Sequence, residues 1–278
     1  MDALVLGSLV LQHGDRQAVP TARKPRQVLS LLVLNEGDIV PTTSLLRELW
    51  DERPPRSAMT TLQTYVLQLR KLLAEALGTT QAEVARDVLR TGGTGYQLCL
   101  PGTVLDLEKY RGLERAGQHA LEASDDDAAT DLFSEALALW RGRALGDVEH
   151  GPMLRAEAAR LEQSRLTMVE CRLEAELRLG RHRESLSELA ALVVQHSYNE
   201  NLYAQYMLAL YRSGCRTRAL DIYRRLRASM VDELGLEPSP RLQRLQRAVL
   251  TAAPHLDDVG GGRWSSVELV GQPAQRGA

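Results

Sequence analysis

Thr60, Thr61, Gln63, Thr64, Gln68 and Lys71 fall within twelve consecutive positions and offer hydroxyls, amides and a cation without a single carboxylate. That set suits a DNA major groove, where glutamine amides can pair with adenine edges, an arginine with guanine, and a threonine methyl with the methyl of thymine. The carboxylate-free run extends from Arg53 to Ala74, and two more span Arg16 to Asn35 and Val88 to Leu105. A surface built from these runs is locally positive, as phosphate contact requires, although the 278-residue chain has a formal net charge of −2. An ordinary solvated helix face would supply similar polar residues, but it would also mix in Asp and Glu.

Two further groups carry compatible chemistry. Arg90-Thr91-Gly92-Gly93-Thr94-Gly95-Tyr96 sets a small, flexible tip beside a cation, and Arg90, Thr91, Gly93 and Thr94 are candidates for a wing that approaches a minor groove and its phosphates. A plain surface hairpin is the alternative. The glycines superficially suggest a phosphate-cradling loop, but no strand–GxGxxG–helix context and no Gly-Lys-Ser/Thr follows, which argues against nucleotide binding. Arg23, Lys24 and Arg26 precede or open a helix, and with Arg70 they are the candidates for backbone phosphate contacts that set register.

Other chemistries find little support. The six histidines are scattered, no nucleophile–base–acid set emerges, and the three cysteines lie far apart without metal-ligand spacing. No catalytic residue, metal or cofactor is expected. Thiols of this kind fit a reducing compartment. No apolar run approaches the roughly 20 residues of a membrane helix, and MDALVLGSLVLQHGD lacks a basic leader region, so a cytoplasmic protein is expected.

The elements that must position these residues follow from local patterning. Short apolar runs around Leu4, Leu6 and Leu9 to Leu11, with a turn at His13-Gly14-Asp15, predict antiparallel strands. Helices are predicted over Arg26 to Leu34, after a cap at Thr42 or Thr43 through Trp50, and from Ala58 to Leu77 after a cap at Ser57. In the third, Ala58, Leu62, Tyr65, Val66, Leu69 and Leu73 share an inward face, and Thr60, Thr64, Leu67 and Lys71 lie opposite. Val88 to Leu100 predicts a hairpin. Pro101-Gly102 marks a boundary beyond which the β signal ends and helical periodicity runs to about Leu250. Gly180 and Gly214 stand 34 residues apart, and the same offset maps Leu189 onto Tyr223, the period of a tetratricopeptide repeat. The predicted fold is an α+β winged helix-turn-helix followed by an all-α, tetratricopeptide-like part, mainly α overall. Its predicted segments are 1–100, a linker at 101–105, a helical domain at 106–250, and a disordered tail at 251–278 containing Trp264.

Four segments, Arg23-Lys24-Pro25-Arg26-Gln27-Val28-Leu29, Leu45 to Trp50, Leu62-Gln63-Thr64-Tyr65-Val66 with Leu69-Arg70-Lys71-Leu72, and Gly95-Tyr96-Gln97-Leu98, together resemble the Streptomyces antibiotic regulatory protein family. Its first domain is a winged helix of the OmpR type. Leu139-Trp140-Arg141-Gly142, Glu176-Leu177 with Leu179-Gly180-Arg181, Leu208 to Gly214 and Asp232 to Ser239 resemble that family's bacterial transcriptional activation domain. The resemblance covers about residues 3–250. It implies an activator of a secondary-metabolite gene cluster that binds double-stranded DNA at direct repeats near the promoter −35 region. It also implies RNA polymerase (sigma factor and alpha subunit) as a partner and self-association of protomers on DNA. The helix 57–73 would then enter the major groove, and the chain would be the short form, without receiver or ATPase modules. The competing expectation is a tetratricopeptide adaptor acting mainly through protein contacts.

Overall fold

The computed structural model describes residues 1–100 and 102–256. The described residues form two compact units: Met1–Glu114 together with Glu135–Leu166, and Arg115–Ser134 together with the described residues from Thr167 onward.

The first unit opens with β1 (Asp2–Leu4), β2 (Val10–His13) and β3 (Arg16–Gln17), an antiparallel meander. Next come α1 (Arg23–Leu34), β4 (Ile39–Pro41), α2 (Thr42–Trp50) and α3 (Ala58–Leu77). A short turn α4 (Gln81–Glu83) runs into a π-helical turn, Val84–Val88, that leads to β5 (Leu89–Thr91) and β6 (Gly95–Leu98). β4, β6 and β5 form a three-stranded antiparallel sheet in that order. Three helices and a hairpin in this order are the winged helix-turn-helix that the sequence predicts.

The inward face of α3 folds as its periodicity requires. Ala58, Leu62, Val66, Leu69 and Leu73 are buried and Tyr65 is half-buried. Leu29 and Leu32 of α1 and Leu45 of α2 are also fully buried, and the three helices pack pairwise. Each such leucine contributes about 2 kcal/mol by leaving water. Pro25 is tolerated in the first turn of α1, because an N–H there would have no intrahelical partner.

Three expectations are corrected. Neither Thr42 nor Thr43 caps α2; the N–H of Thr42 is taken instead by the carbonyl of Thr94 at 2.9 Å. Ser57 gives α3 no side-chain cap either, since the chain enters through a turn in which the Ala58 N–H meets the Pro55 carbonyl at 2.9 Å. The β signal does not end at Leu100: Val104–Leu105 form β7, which pairs parallel with β1 at Asp2 and Ala3. Pro101 lies outside the described residues.

Later parts of the chain complete this unit. The Asp106 carboxylate accepts the N–H groups of Val5 (2.9 Å) and Leu6 (3.0 Å). Carbonyls of the same two residues accept Leu145 N–H at 3.1 Å and Arg141 N–H at 2.8 Å. Buried backbone groups need such partners, and here they come from 100 or more residues away.

The second unit takes in the end of α5 (Asp106–Glu122), most of α6 (Asp126–Ala138) and the C-terminal part of α7 (Pro152–Arg178). It continues with α8 (His182–Gln195), α9 (Glu200–Arg212), α10 (Arg216–Leu234) and α11 (Pro240–Thr251), then a 3-10 turn at Pro254–Leu256. The corners after α7 and α9 close alike. Gly180 and Gly214 both have φ of 81°, and the N–H after each reaches back to Glu176 (2.9 Å) and Leu210 (2.8 Å) respectively. The corner after α5 is built the same way around Ser124 (φ 60°), with Asp125 N–H on the Ala120 carbonyl at 2.9 Å. Five residues beyond each corner a small side chain is buried (Ala129, Ser185, Ala219). Nine beyond it, a large one is buried (Phe133, Leu189, Tyr223). Of the predicted tail at 251–278, Thr251 ends α11 and Pro254–Leu256 form the 3-10 turn, whose Leu256 carbonyl accepts Arg212 Nε at 2.7 Å; residues 257–278, with Trp264, lie outside the described residues.

Candidate nucleic-acid interface

With its apolar side buried, α3 presents Thr60, Gln63, Thr64, Leu67, Gln68 and Lys71 to solvent, while Thr61 is half-buried at the margin. Leu67 is 57% exposed at the centre of this face. The hydroxyl of Thr64 donates to the Thr60 carbonyl at 3.0 Å, so its hydrogen is committed to the helix. Toward a ligand, Thr64 therefore offers a methyl group and oxygen lone pairs. Lys71 has a carboxylate near it, Glu75 at 3.9 Å, but both are largely exposed, and water and salt screen such a pair.

The hairpin is tied to this helix through Arg70. Its guanidinium donates to the Leu89 carbonyl through Nε (3.0 Å) and Nη2 (2.9 Å), and Nη2 also meets Thr91 Oγ1 at 2.9 Å. Partial burial lowers the Arg70 guanidinium from its ordinary value, yet an arginine remains charged in proteins. Gly92 N–H closes the tip on the Gly95 carbonyl at 2.9 Å, leaving Arg90, Thr91, Gly93 and Thr94 exposed. Gly95 has no substitute there: a Cβ would stand 2.0 Å from the Val40 carbonyl oxygen. Behind the hairpin, Thr80 and Glu83 form a capping box. Hydrogen bonds from Thr79 and Thr80 hold the Glu83 carboxyl down to about 2.

The basic group opening α1 divides in three. Arg23 is exposed, and Lys24 lies over the Trp50 ring with Nζ 4.5 Å from its centroid, a cation–π contact. Arg26 is turned into its own unit, donating to the Pro20 carbonyl at 3.0 Å and pairing with Asp147 at 2.9 Å. Arg70 and Arg26 thus both have intramolecular partners that local sequence did not disclose. Two exposed cations, Arg53 and Arg56, stand in the α2–α3 connection and were not singled out, although both lie within the carboxylate-free run. Among the described residues no group of His, Cys, Asp and Glu is arranged to hold a metal ion, and no helix is long and apolar enough to cross a membrane.

A winged helix whose third helix is polar on its exposed face and carries no carboxylate before Glu75, followed by tetratricopeptide-like helices, defines a class of transcription regulator. The comparisons agree. The family model for a transcriptional regulatory protein, C terminal, matches residues 16–98, and that for a bacterial transcriptional activator domain matches residues 105–250. Regulatory protein DnrI of Streptomyces peucetius is 48% identical over 260 residues, which is 94% of this chain and 96% of DnrI. Regulatory protein AfsR of Streptomyces coelicolor is 36% identical over 98% of this chain, which spans 26% of AfsR. A solved structure of Mycobacterium tuberculosis EmbR in complex with low affinity phosphopeptide superposes with a TM-score of 0.81 at 33% identity. That match covers 90% of this chain and 65% of the EmbR chain. This chain belongs to the Streptomyces antibiotic regulatory protein family of transcriptional activators.

Proposed function

We propose that the protein is a cytoplasmic activator that binds direct repeats near the promoter −35 region of a secondary-metabolite gene cluster and recruits RNA polymerase there. The observation that carries the reading is the exposed face of α3, which holds hydroxyls, amides and Lys71 and no carboxylate before Glu75. Gln63 and Gln68 read base edges, Lys71 and the exposed Arg23, Arg53 and Arg56 meet phosphates, and the tip around Gly93 and Thr94 follows the minor groove. Arg70 and Arg26 serve chiefly to hold the wing and the entry to α1 in place, with Lys24 beside Trp50 as an adjoining charge. Head-to-tail protomers on tandem sites have centres about 34 Å apart, one turn of the duplex.

The test is a salt-titrated mobility shift on promoters neighbouring the protein's own gene, against scrambled duplexes. Discriminating binding that is lost in the Thr64→Ala, Lys71→Ala double variant, with the circular dichroism of the fold intact, supports the activator reading. Weak binding to every duplex alike favours the adaptor reading, and footprints over an inverted repeat would exclude tandem placement.

A further inference from the structure

We infer that Leu67 is a specificity-determining residue, its side chain packing against the 5-methyl group of a thymine in the major groove. The inference rests on the DNA-binding reading above and deepens it. The fold has no use for this side chain. The inward face of α3 is complete without it, with Leu62, Leu69 and Leu73 at 0% exposure, while Leu67 stands 57% exposed on the opposite side. Single exposed leucines are common and normally need no explanation. The surroundings of this one do.

On a helix the side chains three and four positions away are the neighbours of Leu67, namely Gln63, Thr64, Arg70 and Lys71. Three of these are exposed, none is acidic, and Arg70 is bound to the wing strand. The Thr64 hydroxyl hydrogen is spent on the Thr60 carbonyl, so the spot formed by Thr64 and Leu67 is more apolar than its residue types suggest. A protein partner would be free to bury a broader apolar surface. Here a small apolar spot is framed by two amides and a lysine, and the basic Arg53 and Arg56 precede the helix. That combination matches a major-groove floor, where the thymine methyl is the one apolar group among hydrogen-bonding edges and phosphates flank both sides.

The experiment pairs one atom group with one side chain. Duplexes carrying the footprinted site are made with each thymidine in turn replaced by deoxyuridine, which removes only the methyl. Binding is measured for the wild-type protein and for Leu67→Ala, with thermal melting confirming that the variant is folded. The expected result is one position where the replacement weakens wild-type binding about fourfold, the factor for one buried methyl, and leaves Leu67→Ala unaffected. Specific binding that responds to no replacement, or that responds equally in both proteins, overturns the inference while the activator reading stands. Failure of the wild-type protein to distinguish the site from scrambled DNA at any salt overturns both.

Discussion

The Glu48 carboxylate, on the buried side of α2, accepts the backbone N–H of Gly151 at 2.7 Å, more than a hundred residues along the chain. It also accepts the N–H groups of Met153 (2.8 Å) and Leu154 (3.2 Å), so one acidic side chain caps the start of α7. Helix N-termini favour a negative charge because their first N–H groups have no intrahelical partner. Gln27 bonds both the carboxylate (3.1 Å) and the Glu48 carbonyl (3.0 Å), fixing the arrangement from α1.

Replacing Glu48 by Ala should therefore destabilise the first unit by about 2–4 kcal/mol, because three N–H groups lose their acceptor in a buried setting. Urea denaturation followed by circular dichroism measures it. A loss below about 0.5 kcal/mol, the scale of an ordinary surface substitution, would show that the cap contributes little. Gly151→Ala should be at least as damaging, since its Cβ would stand 2.0 Å from the Glu48 carbonyl oxygen.

Arg70 and Lys71 are adjacent in sequence and should behave differently. If Lys71 meets a phosphate, Lys71→Ala weakens binding to all duplexes alike and lowers the salt slope by about one unit. Arg70→Ala should instead raise the amide exchange of Thr91 to Gly95 in the free protein, because the guanidinium holds Leu89 and Thr91. Unchanged exchange in that variant would mean the hairpin is held without it.

The repeat corners allow paired predictions of opposite sign. Gly214→Ala should cost about 1 kcal/mol, because a φ of 81° disfavours any Cβ. Ser124→Gly, at φ 60°, should stabilise by a similar amount or somewhat less. Thermal melts of the two variants check both signs, and a fall in Tm for Ser124→Gly contradicts the account.

His182 supplies a pH dependence. Burial, with the Arg212 guanidinium nearby, lowers its pKa from the ordinary value of 6.5, and its place at the start of α8 further disfavours a positive charge. The folded state thus prefers the neutral ring. Its contribution is fully present above about pH 6.5 and is lost as pH falls through that value toward the lower folded pKa. Stability measured from pH 8 to 5 should decline over that window, and His182→Gln should flatten the decline.

Much of this architecture was legible in local sequence. The bounds of α3, Ala58 to Leu77, follow from its apolar period and from Gly78, which closes the helix at φ 68°. The Gly180–Gly214 period disclosed the tetratricopeptide-like corners for the same reason, a backbone need met by one residue type. What stayed hidden depends on distant partners. Glu48 reads as a surface acid until α7 is placed, Arg26 as a free cation until Asp147 is, and β7 is two residues whose strand partner lies a hundred positions back. The corner at Ser124 falls outside that period, since 56 residues, not 34, separate it from Gly180. On the interface, the apolar period already set Leu67 with Thr60, Thr64 and Lys71 on the outward face of α3, while the hydrogen bond of Thr64, which marks the apolar spot within the polar rim, was not legible there.

The parallel pairing of β1 with β7 bears on how such regulators diversify. A recombination breakpoint near residue 100 looks natural between two gene modules, yet it would sever β1 from Val104 and Leu105 and strip Val5 and Leu6 of Asp106 and Arg141. Grafting a new operator preference by shuffling is therefore disfavoured unless the inherited fragment also carries matching residues out to Leu154. Drift at a few exposed positions of one helix, Leu67 among them, is the less costly evolutionary route.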